Sequence, residues 1–215
     1  MLTLAAALLG AGCAHVPVKP PHDGLSFAQR RARLEAVSTW RLRGRLAVST
    51  GKQGFQGSYS WLEDGRRLEL SVHGPLGAGV LEIAGTPRQL TVTARGETRV
   101  LTDPETDLSR LLGWWIPVES LPDWLLGLPD PAFPDQAVFN GSFAIESLEQ
   151  RQWRIEYTEY QLEQGLLLPR RIDMQHGSLE LRLTVDAWEP AGAAPRAATP
   201  HSYSSQLSGF RARLN

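Results

Sequence analysis

Leu179-Glu180-Leu181-Arg182-Leu183-Thr184-Val185-Asp186 decides the fold. Apolar and polar residues alternate strictly, which is the period of a strand with one face on a core and the other in water. The pattern repeats along the chain. Leu42, Leu46 and Val48 alternate with Arg41, Arg43 and Arg45, and Leu68, Leu70 and Val72 with Arg67, Glu69 and Ser71. Trp153, Ile155 and Tyr157 alternate with Arg154, Glu156 and Thr158. Turn signals separate these runs: Gly51-Lys52-Gln53-Gly54, Asp64-Gly65, Arg95-Gly96, Gly165 and His176-Gly177. The reading is a mainly β chain of about eleven antiparallel strands joined by short turns, forming one large curled sheet.

Helical spacing appears in only two places. Phe27, Leu34 and Val37 follow Ser26, a good N-cap, and predict one amphipathic helix over 27–38. In the middle, Asp103-Pro104 and Ser120-Leu121-Pro122-Asp123 are helix starts, closed by Gly113 and Gly127. They predict two short helices, 104–112 and 120–126, rich in Leu and Trp. Apolar helices inserted between strands must cover something apolar. The simplest arrangement is a lid over the concave face of the sheet.

Charge is balanced, with 22 Lys and Arg against 23 Asp and Glu, and no basic block points to a nucleic acid. Seven Trp are many for 215 residues. Each indole needs a large slot and a partner for its N–H, so they suggest a roomy apolar interior, a binding surface or a membrane interface beside ordinary core packing. The single cysteine, Cys13, excludes an internal disulfide and a thiolate metal cage.

Cys13 follows an apolar leader, Met1 to Gly12, that ends in small residues. This pattern looks like a bacterial lipoprotein signal, with residues 1–12 removed and Cys13 lipidated. No Lys or Arg precedes the apolar run, and a free cysteine is the alternative reading. The run is about 11 residues, too short to span a bilayer, which takes about 20. Residues 13–26, rich in Pro, read as an extended tether, 27–189 as the folded domain and 190–215 as a flexible tail.

The search for catalytic chemistry finds little. The histidines 15, 22, 73, 176 and 201 form no close ligand pair, so a catalytic zinc is unsupported, and no cofactor is expected. No nucleophile elbow or phosphate loop occurs, so an enzyme is not expected. The most distinctive local motif is Gly74-Pro75-Leu76-Gly77-Ala78-Gly79, a tight loop with a large apolar residue at its tip. Two readings stay open on spacing alone. Leu76 either folds back on the core or forms an apolar finger for a membrane or partner.

These residues together resemble the LolB family of outer-membrane lipoprotein receptors. The resemblance rests on Trp40, Leu42-Arg43-Gly44-Arg45-Leu46, Ser60-Trp61, the Gly74-Pro75-Leu76-Gly77 loop, Ile116-Pro117-Val118 and Leu121-Pro122-Asp123-Trp124-Leu125-Leu126-Gly127-Leu128-Pro129. Gln152-Trp153-Arg154-Ile155-Glu156-Tyr157, Leu168-Pro169 and Ala187-Trp188 extend it. It implies a half-open antiparallel β-barrel with a helical lid and an apolar cavity. It also implies a monomer that takes acylated lipoproteins from the periplasmic carrier LolA and inserts them into outer-membrane lipid. Leu76 matches the loop leucine that the family uses in membrane insertion. Ala14 fits an outer-membrane address, because Asp there is the family's inner-membrane retention signal. On this reading Trp61, Leu70, Leu81, Trp153, Tyr157 and Leu183 line the acyl-chain cavity, with Trp115 and Trp124 from the lid. The competing class is a structural outer-membrane lipoprotein with a packed β core and no ligand. The two differ on whether several hundred cubic ångströms of dry space exist.

Overall fold

The computed structural model describes residues 21–51, 53–77 and 79–190. Cys13, Ala14 and the predicted tail from 191 onward lie outside the described residues. One helix, α1 (Phe27–Glu35), precedes six strands: β1 (Thr39–Ser49), β2 (Gly54–Asp64), β3 (Arg67–His73), β4 (Gly79–Thr86), β5 (Gln89–Ala94) and β6 (Glu97–Leu101). Helices α2 (Pro104–Leu112) and α3 (Leu121–Leu125) follow. Five strands complete the fold: β7 (Asp135–Phe139), β8 (Ile145–Gln150), β9 (Trp153–Glu163), β10 (Leu166–His176) and β11 (Leu179–Pro190).

All eleven strands form one antiparallel sheet in the order β6-β5-β4-β3-β2-β1-β11-β10-β9-β8-β7. Two meanders meet at its centre, where β1 pairs with β11 and Leu42 lies opposite Trp188. The free edges are therefore β6 and β7, which are consecutive in sequence. The sheet is open, as a half-barrel requires. The chain that leaves one edge must cross to the other through residues 102–134, and this topology puts α2 and α3 on the concave side.

Curvature has local causes. Bulges interrupt the ladders at Arg43/Gly44, at Val72/His73 and beside Pro169, and each adds bend and twist. Gly44 sits at the central bulge, and a Cβ there would fall 1.9 Å from the Thr184 carbonyl oxygen. Only a residue without a side chain lets β1 and β11 approach this closely.

The alternating apolar residues form one core. Trp40, Leu42, Trp61, Leu90, Val92, Ile155, Ile172 and Val185 are buried, and Leu108, Trp124, Leu125 and Leu128 of the inserted segment join them. The helix predicted over 27–38 ends earlier, at Glu35. The Ser38 carbonyl accepts a hydrogen bond from Gly65 N–H, which draws the β-branched Thr39 into β1. Its start carries a capping box between Ser26 and Gln29, as Ser26 suggested. The second helix runs over the predicted 104–112, and the third is one residue shorter at each end than predicted.

Candidate functional site

The concave face of the sheet is the candidate site, and the helical insertion occupies it. Trp124 of α3 is fully buried against Trp153 of β9, with ring centroids 6.2 Å apart. Tyr157 donates its hydroxyl to the Trp124 carbonyl at 2.9 Å. Trp115 and Trp153 each pack on the His176 ring, at 5.6 and 5.3 Å. On the other half of the sheet Trp40 lies between Trp61 and Trp188, at 6.5 and 5.3 Å. The interior is thus a continuous aromatic and aliphatic surface.

A few polar side chains clasp the insertion. Gln150 accepts hydrogen bonds from Trp124 Nε1 (2.7 Å) and Asp130 N–H (2.9 Å), and donates to the carbonyls of Asp130 and Phe133. All of its polar capacity goes into holding residues 124–133. Its neighbour Arg151 donates to both carboxylate oxygens of Glu105 on α2, at 3.0 and 2.7 Å, and to Ser120 Oγ at 3.0 Å. Ser120 Oγ in turn donates to Asp130 at 2.6 Å. The guanidinium also covers the rings of Phe133 and Trp115, at 4.1 and 4.9 Å. Both Arg151 and Gln152 adopt positive φ, so a two-residue hairpin turn aims these groups at the insertion.

Two shielded carboxylates act on each other, Glu63 at the end of β2 and Asp123 on α3. Glu63 is buried beside Trp61, whose Nε1 donates to it at 3.0 Å. Burial pushes the Glu63 carboxyl up to about 7, with the charges of Asp123 and Asp64 adding and the Trp61 bond opposing. Burial likewise raises Asp123 to about 6, helped by Asp130 and Glu35 and opposed by Arg31. Buried Trp153 Nε1 and Tyr59 OH have no hydrogen-bond partner, so the apolar interior holds two unused donors. Among the described residues no group of three or more His, Cys, Asp or Glu is placed to hold a metal ion.

Of the residues assigned to a cavity, Trp61, Trp124, Trp153, Tyr157 and Leu183 are buried, while Leu70, Leu81 and Trp115 are half-buried. The six on the sheet share its inner face, while Trp115 and Trp124 belong to the insertion that covers part of that face. An apolar recess of about 110 Å³ lies between α1 and the sheet, beside Leu34, Trp40, Leu126, Leu168 and Trp188. A larger depression of about 620 Å³ is rimmed by Arg154, Glu156, Asp173, Gln175, Glu180 and Arg182. Those are outward-facing positions of β9, β10 and β11, and their charges do not suit acyl chains. Leu76 lies in a single 3₁₀ turn, Pro75–Gly77, between β3 and β4. Sequence reasoning missed Gln150, Arg151, Glu105 and Glu63. The partners of Gln150, Arg151 and Glu105 lie far off in sequence, and Glu63 reads as one more polar residue near the end of a strand, so nothing in their spacing marks them.

These features define a class: an open antiparallel half-barrel whose apolar concave face is capped by its own helical insertion. Within that class, the chain belongs to the outer membrane lipoprotein LolB family, whose model matches residues 38–188. The Outer-membrane lipoprotein LolB of Nitrosococcus oceani is 33% identical over 87% of this chain and 96% of its own. That of Aeromonas hydrophila is 32% identical over 87% of this chain and 95% of its own. Among solved structures, a LolA superfamily protein from Nitrosomonas europaea covers 77% of this chain and 93% of its own, at 9% identity and a TM-score of 0.49.

Proposed function

We propose that this protein is the outer-membrane acceptor of a lipoprotein-sorting route. It takes acylated lipoproteins from a periplasmic LolA carrier, shelters their chains on the concave face and releases them into the membrane. The observation that carries this reading is the family match across nearly the whole described domain. Relatives named as outer-membrane lipoproteins, which align over nearly their whole length, support it.

Physical chemistry supports the same job. A triacylated cargo carries on the order of 45 methylenes, and at about 0.8 kcal/mol each their exposure to water costs roughly 35 kcal/mol. Such a chain needs an apolar host at every stage. The concave face offers one once α2 and α3 move aside. Their polar clasp of Gln150 and Arg151 is compact enough to release as a unit. Without a nucleotide motif, transfer runs downhill in affinity by direct contact between carrier and acceptor. Cys13 carries the lipid, the residues between it and the pinned Asp23 the tether, and Leu76 the membrane-inserting loop. The protein acts as a monomeric transfer protein and not as an enzyme.

The packed interior favours a second reading, a structural lipoprotein with no ligand. Incubation of the protein with a carrier loaded with radiolabelled lipoprotein separates them. Transfer of label to the acceptor is expected. Retention of all label on the carrier supports the structural reading.

A further inference from the structure

The strand-end turn at residues 140–144 is built in an unusual way. Phe143 holds φ at +55°, a conformation that is costly for a bulky residue and normally left to Gly or Asn. The turn is nevertheless held firmly. Asn140 Oδ1 accepts hydrogen bonds from Ser142 N–H and Ala144 N–H, and Phe143 N–H bonds to the Asn140 carbonyl. The buried Arg30 guanidinium donates to the carbonyls of Phe143 (2.7 Å) and Ser142 (3.0 Å). The result is a Phe143 that is 58% exposed, with Phe139, 44% exposed, at the adjoining end of edge strand β7. Phe139 itself leans on Phe27 of α1 at 4.9 Å.

The same Arg30 fixes where the N-terminal segment leaves the domain. It donates to both carboxylate oxygens of Asp23 at 2.7 Å, and Asp23 also accepts from Leu167 N–H at 3.1 Å. Ser142 Oγ lies 3.5 Å from the Pro21 carbonyl. The segment expected to be a free tether is therefore pinned to the Phe143 turn as far as residue 21. Cys13 is ten residues before Asp23, a reach of at most about 35 Å. The Leu76 turn lies at the other end of the strands, because His73 pairs with Ser58 and Ser49 with Gly54, far from the Thr39–Asp64 pair.

We propose that the Phe143 turn, with Phe139 beside it, forms a resting contact with the phospholipid surface that holds the anchor. This rests on the reading of Cys13 as lipidated. The pinned exit leaves the domain at the Phe143 end, so the anchor pulls on this end of the domain rather than on the Leu76 end. The apolar turn beside it then touches lipid, while the Leu76 turn points away until delivery. Arg30 links the two features by holding both the strained turn and the exit.

The test uses the mature lipoprotein in vesicles of phosphatidylethanolamine and phosphatidylglycerol containing spin-labelled lipid. With Cys13 acylated, an introduced cysteine is the one free thiol. Gly141→Cys is tolerated, since nothing lies within 4 Å of a Cβ there, and Glu180→Cys samples the polar face. A fluorophore at 141 is expected to be quenched at least threefold more than one at 180. Adding Phe143→Asn, which suits the positive φ, is expected to remove most of that difference. Equal quenching at both positions, or none at 141 in protein that floats with the vesicles, overturns the inference and leaves the anchor reading standing. Protein that fails to float overturns both. Shielding at 141 only when carrier is added assigns the patch to a protein partner and overturns the lipid contact.

Discussion

Arg151, in the turn between β8 and β9, grips Glu105 of α2 in a two-pronged ion pair with bonds of 3.0 and 2.7 Å. The pair joins the sheet to the segment that covers it, and both side chains are largely shielded from water. It is thus a direct tie between the wall of the half-barrel and its lid.

Arg151→Met removes that tie together with the bond to Ser120 Oγ. The cost is about 1–3 kcal/mol of stability, the range for charge-assisted bonds at a partly shielded site. The concave face is expected to open more often, so an environment-sensitive apolar dye should bind more strongly below the melting transition. Unchanged dye binding in a destabilised variant would show that the tie supports the fold without governing the lid.

Glu63 makes stability depend on pH. Its carboxyl is raised to about 7 in the folded protein, so the native state binds more protons than the unfolded chain between roughly pH 4.5 and 7. Stability from this group is therefore full at acid pH and declines as pH rises through 7. Asp123, raised to about 6, acts with the same sign. Glu63→Gln keeps an acceptor for Trp61 Nε1 and removes the buried charge. Thermal melts at pH 8 should show the variant more stable by about 1–2 kcal/mol, with a shallower decline between pH 5 and 8. Asp23 has the opposite sign. Burial alone would raise it, but Arg30 and the N–H groups of Leu25 and Leu167 outweigh burial and hold it near 2, so its contribution is lost as pH falls through 2.

Gly44→Ala tests the central closure of the sheet. The added methyl would overlap the Thr184 carbonyl, so β1 and β11 must separate or the bulge must shift. A loss of about 3 kcal/mol or more is expected in denaturant unfolding. A variant as stable as the parent would mean that the ladder between the two meanders adjusts freely.

Leu76→Glu addresses release. The variant is expected to accept cargo from a loaded carrier at the parent rate but to pass far less of it to membrane vesicles. Delivery at the parent rate would remove the loop from the mechanism.

Much of the fold was legible in the chain, and for a clear reason. Alternation in Leu179–Asp186 reflects one wet and one dry face, a local property that needs no knowledge of partners. Start signals such as Asp103-Pro104 act through backbone geometry, so α2 was readable to the residue. The N-terminal segment was less readable. Proline content suggested a tether as far as residue 26, whereas Asp23 is held by Arg30 and Leu167. Arg30 falls at helical spacing among the apolar Phe27, Leu34 and Val37, and it is buried there because Asp23 and the carbonyls of Ser142 and Phe143 satisfy its guanidinium.

The sequence by itself determined the strands, the helical insertion and the family, because periodicity, turn chemistry and motif order are written along one dimension. Tertiary structure decided which edges stay open, that the insertion fills the concave face, and that Gln150 and Arg151 hold it there. It also decided that Arg30 ties the chain's exit to the Phe143 turn. These are contacts between residues distant in sequence. Their geometry follows from the curl of the whole sheet, which no local pattern encodes.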